Sequence, residues 1–224
     1  MHKKGFIFDL DGVIVDTAKY HFMAWKQLSK DLGISFSEAQ NEQLKGVSRV
    51  KSLEKILAWG NKTISDEMFE NLMAKKNEEY LSYIAKMDAS EILPEVESVL
   101  VFLKEGNQKI ALGSASKNAR TILSKVKLLH YFEAIVDGTN VKNAKPDPEV
   151  FLLASEAIKI NPEDCIVFED SIAGIQAANT AGMLSIGIGN EKVLHEADFV
   201  FQNFSKMPNG FLMSLINNEP NQGQ

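Results

Sequence analysis

Short apolar runs alternating with helical patterns predict an α/β protein with a mostly parallel sheet and an α-helical insertion after the first strand. Three observations carry this reading. Apolar runs at residues 5–8, 109–112, 134–136, 165–168, 184–188 and 199–201 have the length of buried strands. Helical periodicities stand between the later runs, and that alternation implies βαβ units. The interval 16–87 holds helical spacing and no strand.

Taken in order, the run at 5–8 ends at Asp9 and Asp11, too early for a membrane span or a secretory leader. In the insertion, Leu28, Leu32, Leu53, Ile56, Leu57, Met68, Leu72, Met73 and Tyr80 recur at helix-like intervals and are expected to form a small bundle core, with Trp59 among them. The boundaries this implies are a core domain of residues 1–15 and 88–224 and a cap domain of residues 16–87. Helices are expected at 94–104, 118–126, 148–157 and 172–181, the last closed by Gly182, where a left-handed residue often caps a helix. The polar stretch 217–224 reads as a disordered tail.

The 224 residues are 45 % hydrophobic and 24 % charged, ordinary for a globular protein with a sizeable core. A net charge of −6 gives no basic field for nucleic acid or an anionic membrane, so any anionic ligand must be held by a few placed cations. The single cysteine, Cys165, excludes an internal disulfide and reads as a small buried hydrophobe. A cytoplasmic monomer is expected, with no membrane and no nucleic acid among its partners.

Ligands of parallel α/β sheets gather at the carboxyl ends of the strands. There the sequence places Phe8-Asp9-Leu10-Asp11-Gly12, then Gly113-Ser114-Ala115-Ser116, and then Glu169-Asp170, with Lys145-Pro146 in a loop between the last two. Clustered carboxylates repel one another, and a hard dication offsets that repulsion; magnesium suits a site that also holds phosphate and water. A carboxylate beside the metal can attack a phosphoryl group while a second one moves the proton. Ser114 and Lys145 would hold phosphoryl oxygens. Singly these residues are ordinary: Asp-x-Asp is common in turns, Ser114 could cap a helix, and Lys145 could be a solvated loop charge. Their order along the chain makes the set informative.

The four motifs resemble those of the haloacid dehalogenase superfamily, over almost the whole chain. The resemblance implies a Rossmann-like parallel-sheet core with a helical cap. It implies Asp9 as nucleophile, Asp11 as general acid/base, Ser114 and Lys145 as phosphoryl-orienting groups, and Mg2+ at Asp9, Asp11, Glu169 and Asp170, with Asp11 contributing its backbone carbonyl.

Within that superfamily the cap selects the substrate. The entry Asp16-Thr17-Ala18-Lys19-Tyr20-His21 with Trp25, the loop Leu44-Lys45-Gly46-Val47-Ser48-Arg49 with Ser52, the pair Lys76-Asn77, and Ser114-Ala115-Ser116-Lys117-Asn118 look like the β-phosphoglucomutase family. This implies substrate contacts from Thr17, His21, Trp25, Gly46, Val47, Ser48, Arg49, Ser52, Lys76, Ala115, Ser116, Lys117 and Asn118. Arg49 carries a physical argument of its own. Lysine supplies 22 of the 24 Lys and Arg, so an arginine here suggests bidentate phosphate geometry. The expected reaction interconverts β-glucose 1-phosphate and β-glucose 6-phosphate through a sugar bisphosphate. A sugar or polyol phosphate phosphatase is the rival reading. A switch phosphorylated at Asp9 without turnover is less consistent with the intact Asp11.

Overall fold

The computed structural model describes residues 3–217. Six strands form one sheet: β1 (Gly5–Phe8), β2 (Lys109–Gly113), β3 (Ala134–Val136), β4 (Cys165–Glu169), β5 (Leu184–Ile188) and β6 (Phe199–Phe201). Their spatial order is β3-β2-β1-β4-β5-β6, and every pairing is parallel. The predicted strands are all present, with β2 and β4 each one residue longer at the carboxyl end.

Side-chain alternation along β1 explains the layers. Phe6 and Phe8 enter one core with Leu112, Phe168 and Ile186, where the Phe8 and Phe168 rings stack 4.7 Å apart. Ile7 enters the opposite core with Ala111, Val167 and the buried, unpaired thiol of Cys165, whose pKa burial pushes up to about 12.

Between β1 and the rest of the sheet lie four helices: α1 (Ala18–Asp31), α2 (Glu38–Glu42), α3 (Arg49–Trp59) and α4 (Asp66–Ile84). Ser37, Ser48 and Ser65 begin α2, α3 and α4 by accepting a backbone N–H from the residue three ahead. A third core joins Trp25, Leu28, Ile34, Phe36, Leu44, Leu53, Ile56 and Leu57, with Leu32, Trp59, Leu72 and Met73 packed at its edge. Two expected members differ. Met68 is 42 % exposed, because it falls on the outer face of α4, and Tyr80 turns into the main core instead.

The remaining helices are α5 (Val96–Glu105), α6 (Ala119–Lys125), α7 (Glu149–Ile158), α8 (Ile172–Thr180) and α9 (Phe211–Asn217). Asn217, taken from sequence as the start of the tail, ends α9, whose Phe211 and Ile216 are buried in the main core. Residues 218–224 lie outside the described residues. Among the described residues no helix is long and apolar enough to cross a membrane.

Candidate active site

Strand register builds the catalytic edge. Phe8 pairs with Leu112 on one side and Phe168 on the other, so the residues that follow β1, β2 and β4 emerge at the same level. Asp9 continues the ladder for one bond, its N–H donating to the Phe168 carbonyl at 2.9 Å, and its buried side chain enters the site. The chain then turns through Gly12 at φ +82°, where a Cβ would lie 2.2 Å from Asp170 Oδ2. Only glycine lets the Asp170 carboxylate lie against this loop.

Lys145, reached through a cis peptide to Pro146, is 4 % exposed and fully occupied. Its ammonium donates to Asp9 Oδ1 at 2.6 Å, Glu169 Oε1 at 2.5 Å and the Gly113 carbonyl at 3.1 Å. Burial works against the charge, yet Asp9 and Glu169 hold its pKa above the ordinary lysine value. Ser114 is not a helix cap; that place before α6 belongs to Asn118, and Ser114 Oγ accepts the Ser116 N–H in the turn after β2.

Glu169 departs from the expectation. It is fully buried, with one oxygen on Lys145 and the other accepting both the N–H and the hydroxyl of Ser171 at 2.8 and 2.9 Å. It therefore faces away from the cleft, which Asp170 lines. Among the described residues no group of three His, Cys, Asp or Glu forms a ready metal cage. Magnesium does not require one, since it commonly takes one or two protein carboxylates and completes its shell with water and substrate phosphate. Asp9, Asp170 and the Asp11 carbonyl match that donor set. The charge balance agrees: burial, then neighbouring carboxylates, push Asp11 up to about 7 and Asp170 well above its usual range. Burial lifts Asp9 to about 6 even against the opposing charge of Lys145.

The cleft between the sheet edge and α1–α4 has a volume of about 1040 Å3. Of the residues singled out in the sequence, it is lined by Asp9, Asp11, His21, Trp25, Gly46, Val47, Ser48, Arg49, Ser52, Lys76, Ser114, Ala115, Ser116, Lys117, Asn118, Lys145 and Asp170. Thr17 and Glu169 stand behind it, each bonded to a residue that lines it. The Thr17 hydroxyl donates to Asp11 Oδ1. Lys76 Nζ lies 2.9 Å from His21 Nδ1, and His21 Nε2 is 4.0 Å from Asp11 Oδ2. Burial, then Lys76 and Arg49, hold His21 well below its usual pKa, so the imidazole is neutral. When the lysine donates to Nδ1, the ring proton sits on Nε2, the nitrogen nearer Asp11.

Lys76 is 2 % exposed between the rings of Trp25 and Tyr80, at 4.8 and 4.6 Å. Burial and then Arg49 lower its pKa to about 7, and burial lowers that of Arg49. Trp25 is both a core residue of the helical insertion and a wall of the cleft.

Two residues were missed as site residues. Lys45 spans the cleft, 3.4 Å from Asp170 Oδ2 and 3.1 Å from Glu42 Oε2. Its neighbour Gly46 has φ +69°, and a Cβ there would lie 2.4 Å from Ser171 Oγ, so this loop rests on the turn carrying Asp170. The sequence signal for Lys45 was its place inside the quoted loop from Leu44 to Arg49. Asn77 Oδ1 accepts from Asn118 Nδ2 at 3.2 Å, tying α4 to the loop after β2.

Beside this geometry of buried carboxylates around Lys145 stand likenesses to known proteins. Residues 3–182 match the haloacid dehalogenase-like hydrolases. The chain belongs to that family. It is 42 % identical to a β-phosphoglucomutase of Bacillus subtilis, over 91 % of each chain. Its fold superposes on a β-phosphoglucomutase crystal structure from Clostridium difficile with a TM-score of 0.92 and 42 % identity, covering 97 % of this chain and 98 % of that one. A phosphorylated-carbohydrate phosphatase of Thermotoga maritima is 31 % identical over 87 % of this chain and 91 % of its own. The haloacid dehalogenase-like family thus includes both reaction types among the relatives of this chain.

Proposed function

We propose that the protein is a β-phosphoglucomutase, interconverting β-glucose 1-phosphate and β-glucose 6-phosphate by phosphoryl transfer through Asp9. The observation that carries this over simple hydrolysis is the pair of basic side chains Arg49 and Lys76, which line the cleft with no carboxylate bonded to either among the described residues. A hydrolase of one phosphate needs only the Lys145 end of the cleft. A sugar bisphosphate presents a second phosphate, and a guanidinium beside an ammonium is suited to grip it. The 42 % identity to the Bacillus enzyme supports the same reading.

In this reading residues 16–87 act as a cap over the core of residues 1–15 and 88–224. Asp9, Asp170 and the Asp11 carbonyl would hold Mg2+, which when bound offsets charge on the phosphoryl oxygens. Phospho-Asp9 gives its phosphoryl group to a sugar hydroxyl as Asp11 accepts the hydroxyl proton. After the bisphosphate turns round, Asp9 attacks the other phosphate and Asp11 returns the proton to the departing sugar oxygen. Asp11 suits both steps, because a pKa near 7 favours neither giving nor taking. Ser114 and Lys145 hold the transferring group, and Glu169 fixes Lys145. His21, Trp25, Gly46, Val47, Ser48, Ser52, Ala115, Ser116, Lys117 and Asn118 enclose the sugar and exclude water, which would otherwise hydrolyse phospho-Asp9, while Thr17 holds Asp11 from behind.

The deciding experiment offers α- and β-glucose 1-phosphate with magnesium and a trace of β-glucose 1,6-bisphosphate, following glucose 6-phosphate and free phosphate separately. Glucose 6-phosphate from the β anomer with little free phosphate is expected. Stoichiometric free phosphate would instead identify a sugar phosphatase.

A further inference from the structure

Tyr80 is fully buried, and its hydroxyl lies toward Thr17 but reaches full hydrogen-bond geometry with no group among the described residues. A buried orphan hydroxyl lowers stability, and phenylalanine would fill the same space without that penalty. Its ring already has two tasks that phenylalanine could share: it lies 4.2 Å from the His21 ring and 4.6 Å beneath the Lys76 ammonium. Packing therefore accounts for the ring and leaves the hydroxyl unexplained.

The hydroxyl faces Thr17 and senses the Asp11 charge. Burial, then Asp11, hold its pKa well above the usual value, so it keeps a proton that it can donate to an oxygen nearby. Thr17 Oγ1 gives its own proton to Asp11 Oδ1 and keeps free lone pairs.

We propose that Tyr80 is a positioning residue for the acid/base: with substrate bound its hydroxyl donates to Thr17 Oγ1, which fixes the Thr17 proton on Asp11 and so the direction of the Asp11 carboxylate. The ring holds His21 and Lys76 on the other flank of the same carboxylate, so one side chain registers both contacts to Asp11. This rests on the assignment of Asp11 as acid/base and not on the identity of the sugar.

Tyr80→Phe tests it, because the ring is kept. Acetyl phosphate, a small donor whose acetate leaves without needing a proton, should phosphorylate Asp9 at the parent rate. Loss of the phosphoryl group to sugar or water, which needs Asp11, should slow about tenfold, a modest part of the roughly 10²–10⁴-fold that general acid–base catalysis supplies. kcat should fall with KM within about twofold, and Tm should hold or rise. In a Thr17→Val background the Tyr80→Phe effect should largely vanish, since the relay is already cut. A parent-like dephosphorylation rate, equal loss in the phosphorylation step, or full additivity with Thr17→Val would each overturn the proposal. Should the parent convert no glucose 1-phosphate, the mutase reading fails while the dephosphorylation rates still decide the role of Tyr80.

Discussion

The two walls of the cleft are built on opposite electrostatic plans. On the sheet side the lysine is satisfied in place: Lys145 has Asp9, Glu169 and the Gly113 carbonyl, and Glu169 has Ser171 as well. On the helical side Arg49 and Lys76 are desolvated with no carboxylate bonded to them among the described residues, at a cost that lowers both pKa values. On the reading proposed above, the sheet side is preorganised for phosphoryl transfer whatever the substrate, and the helical side is completed by an anion. That reading places reaction type and substrate choice in different segments of the chain.

The sharpest way to break this division is Asp9→Asn, which should abolish sugar turnover and acetyl phosphate hydrolysis together. Residual mutase activity within about tenfold of the parent, an effect of only about 1.4 kcal/mol, would refute the nucleophile assignment. Removing metal should act on the same wall. EDTA is expected to stop both reactions, magnesium to restore them, and calcium to restore them poorly because its longer, looser coordination misplaces the phosphoryl group. Full turnover in chelated protein would refute the donor set of Asp9, Asp170 and the Asp11 carbonyl.

Arg49→Ala probes the helical wall alone. Losing one charge-assisted hydrogen bond of about 1.5–3 kcal/mol should cut mutase flux roughly tenfold to a hundredfold, while acetyl phosphate hydrolysis persists. Arg49→Lys should recover part of the flux, since it keeps the charge without the fork. Equal losses in both assays would make Arg49 structural. The smallest effect belongs to Ser65→Ala, which removes the cap of α4, the helix carrying Lys76 and Tyr80. It should lower stability by about 1 kcal/mol in denaturant titration and leave Asp9 phosphorylation unchanged, if the walls are energetically separate. A loss of Asp9 phosphorylation would join them.

Most of the sheet wall was legible in the sequence because strand ends fix side-chain positions over a few residues. An apolar run stops, and Asp9, Ser114 or Asp170 follows at the edge. What was not legible depends on three-dimensional neighbours. Glu169 and Asp170 are adjacent and chemically alike, yet Ser171 and Lys145 draw one behind the cleft and leave the other lining it. Tyr80 shares the periodicity of the helical bundle, yet it is buried with the main core and not with the bundle residues. Lys45 reaches Asp170 across 125 residues of sequence, a pairing that no local pattern announces.

The placement of β1 between β2 and β4 has a consequence for synthesis. Asp9 is made 136 positions before its lysine partner, and the strand that accepts its backbone N–H follows later still. A nascent chain shorter than residue 169 carries Asp9 without the strand that completes its ladder. Phosphoryl chemistry is thus withheld until nearly all of the sheet can close. Such long-range pairing is slow to form, so β1 must wait for β4 before it is paired on both sides.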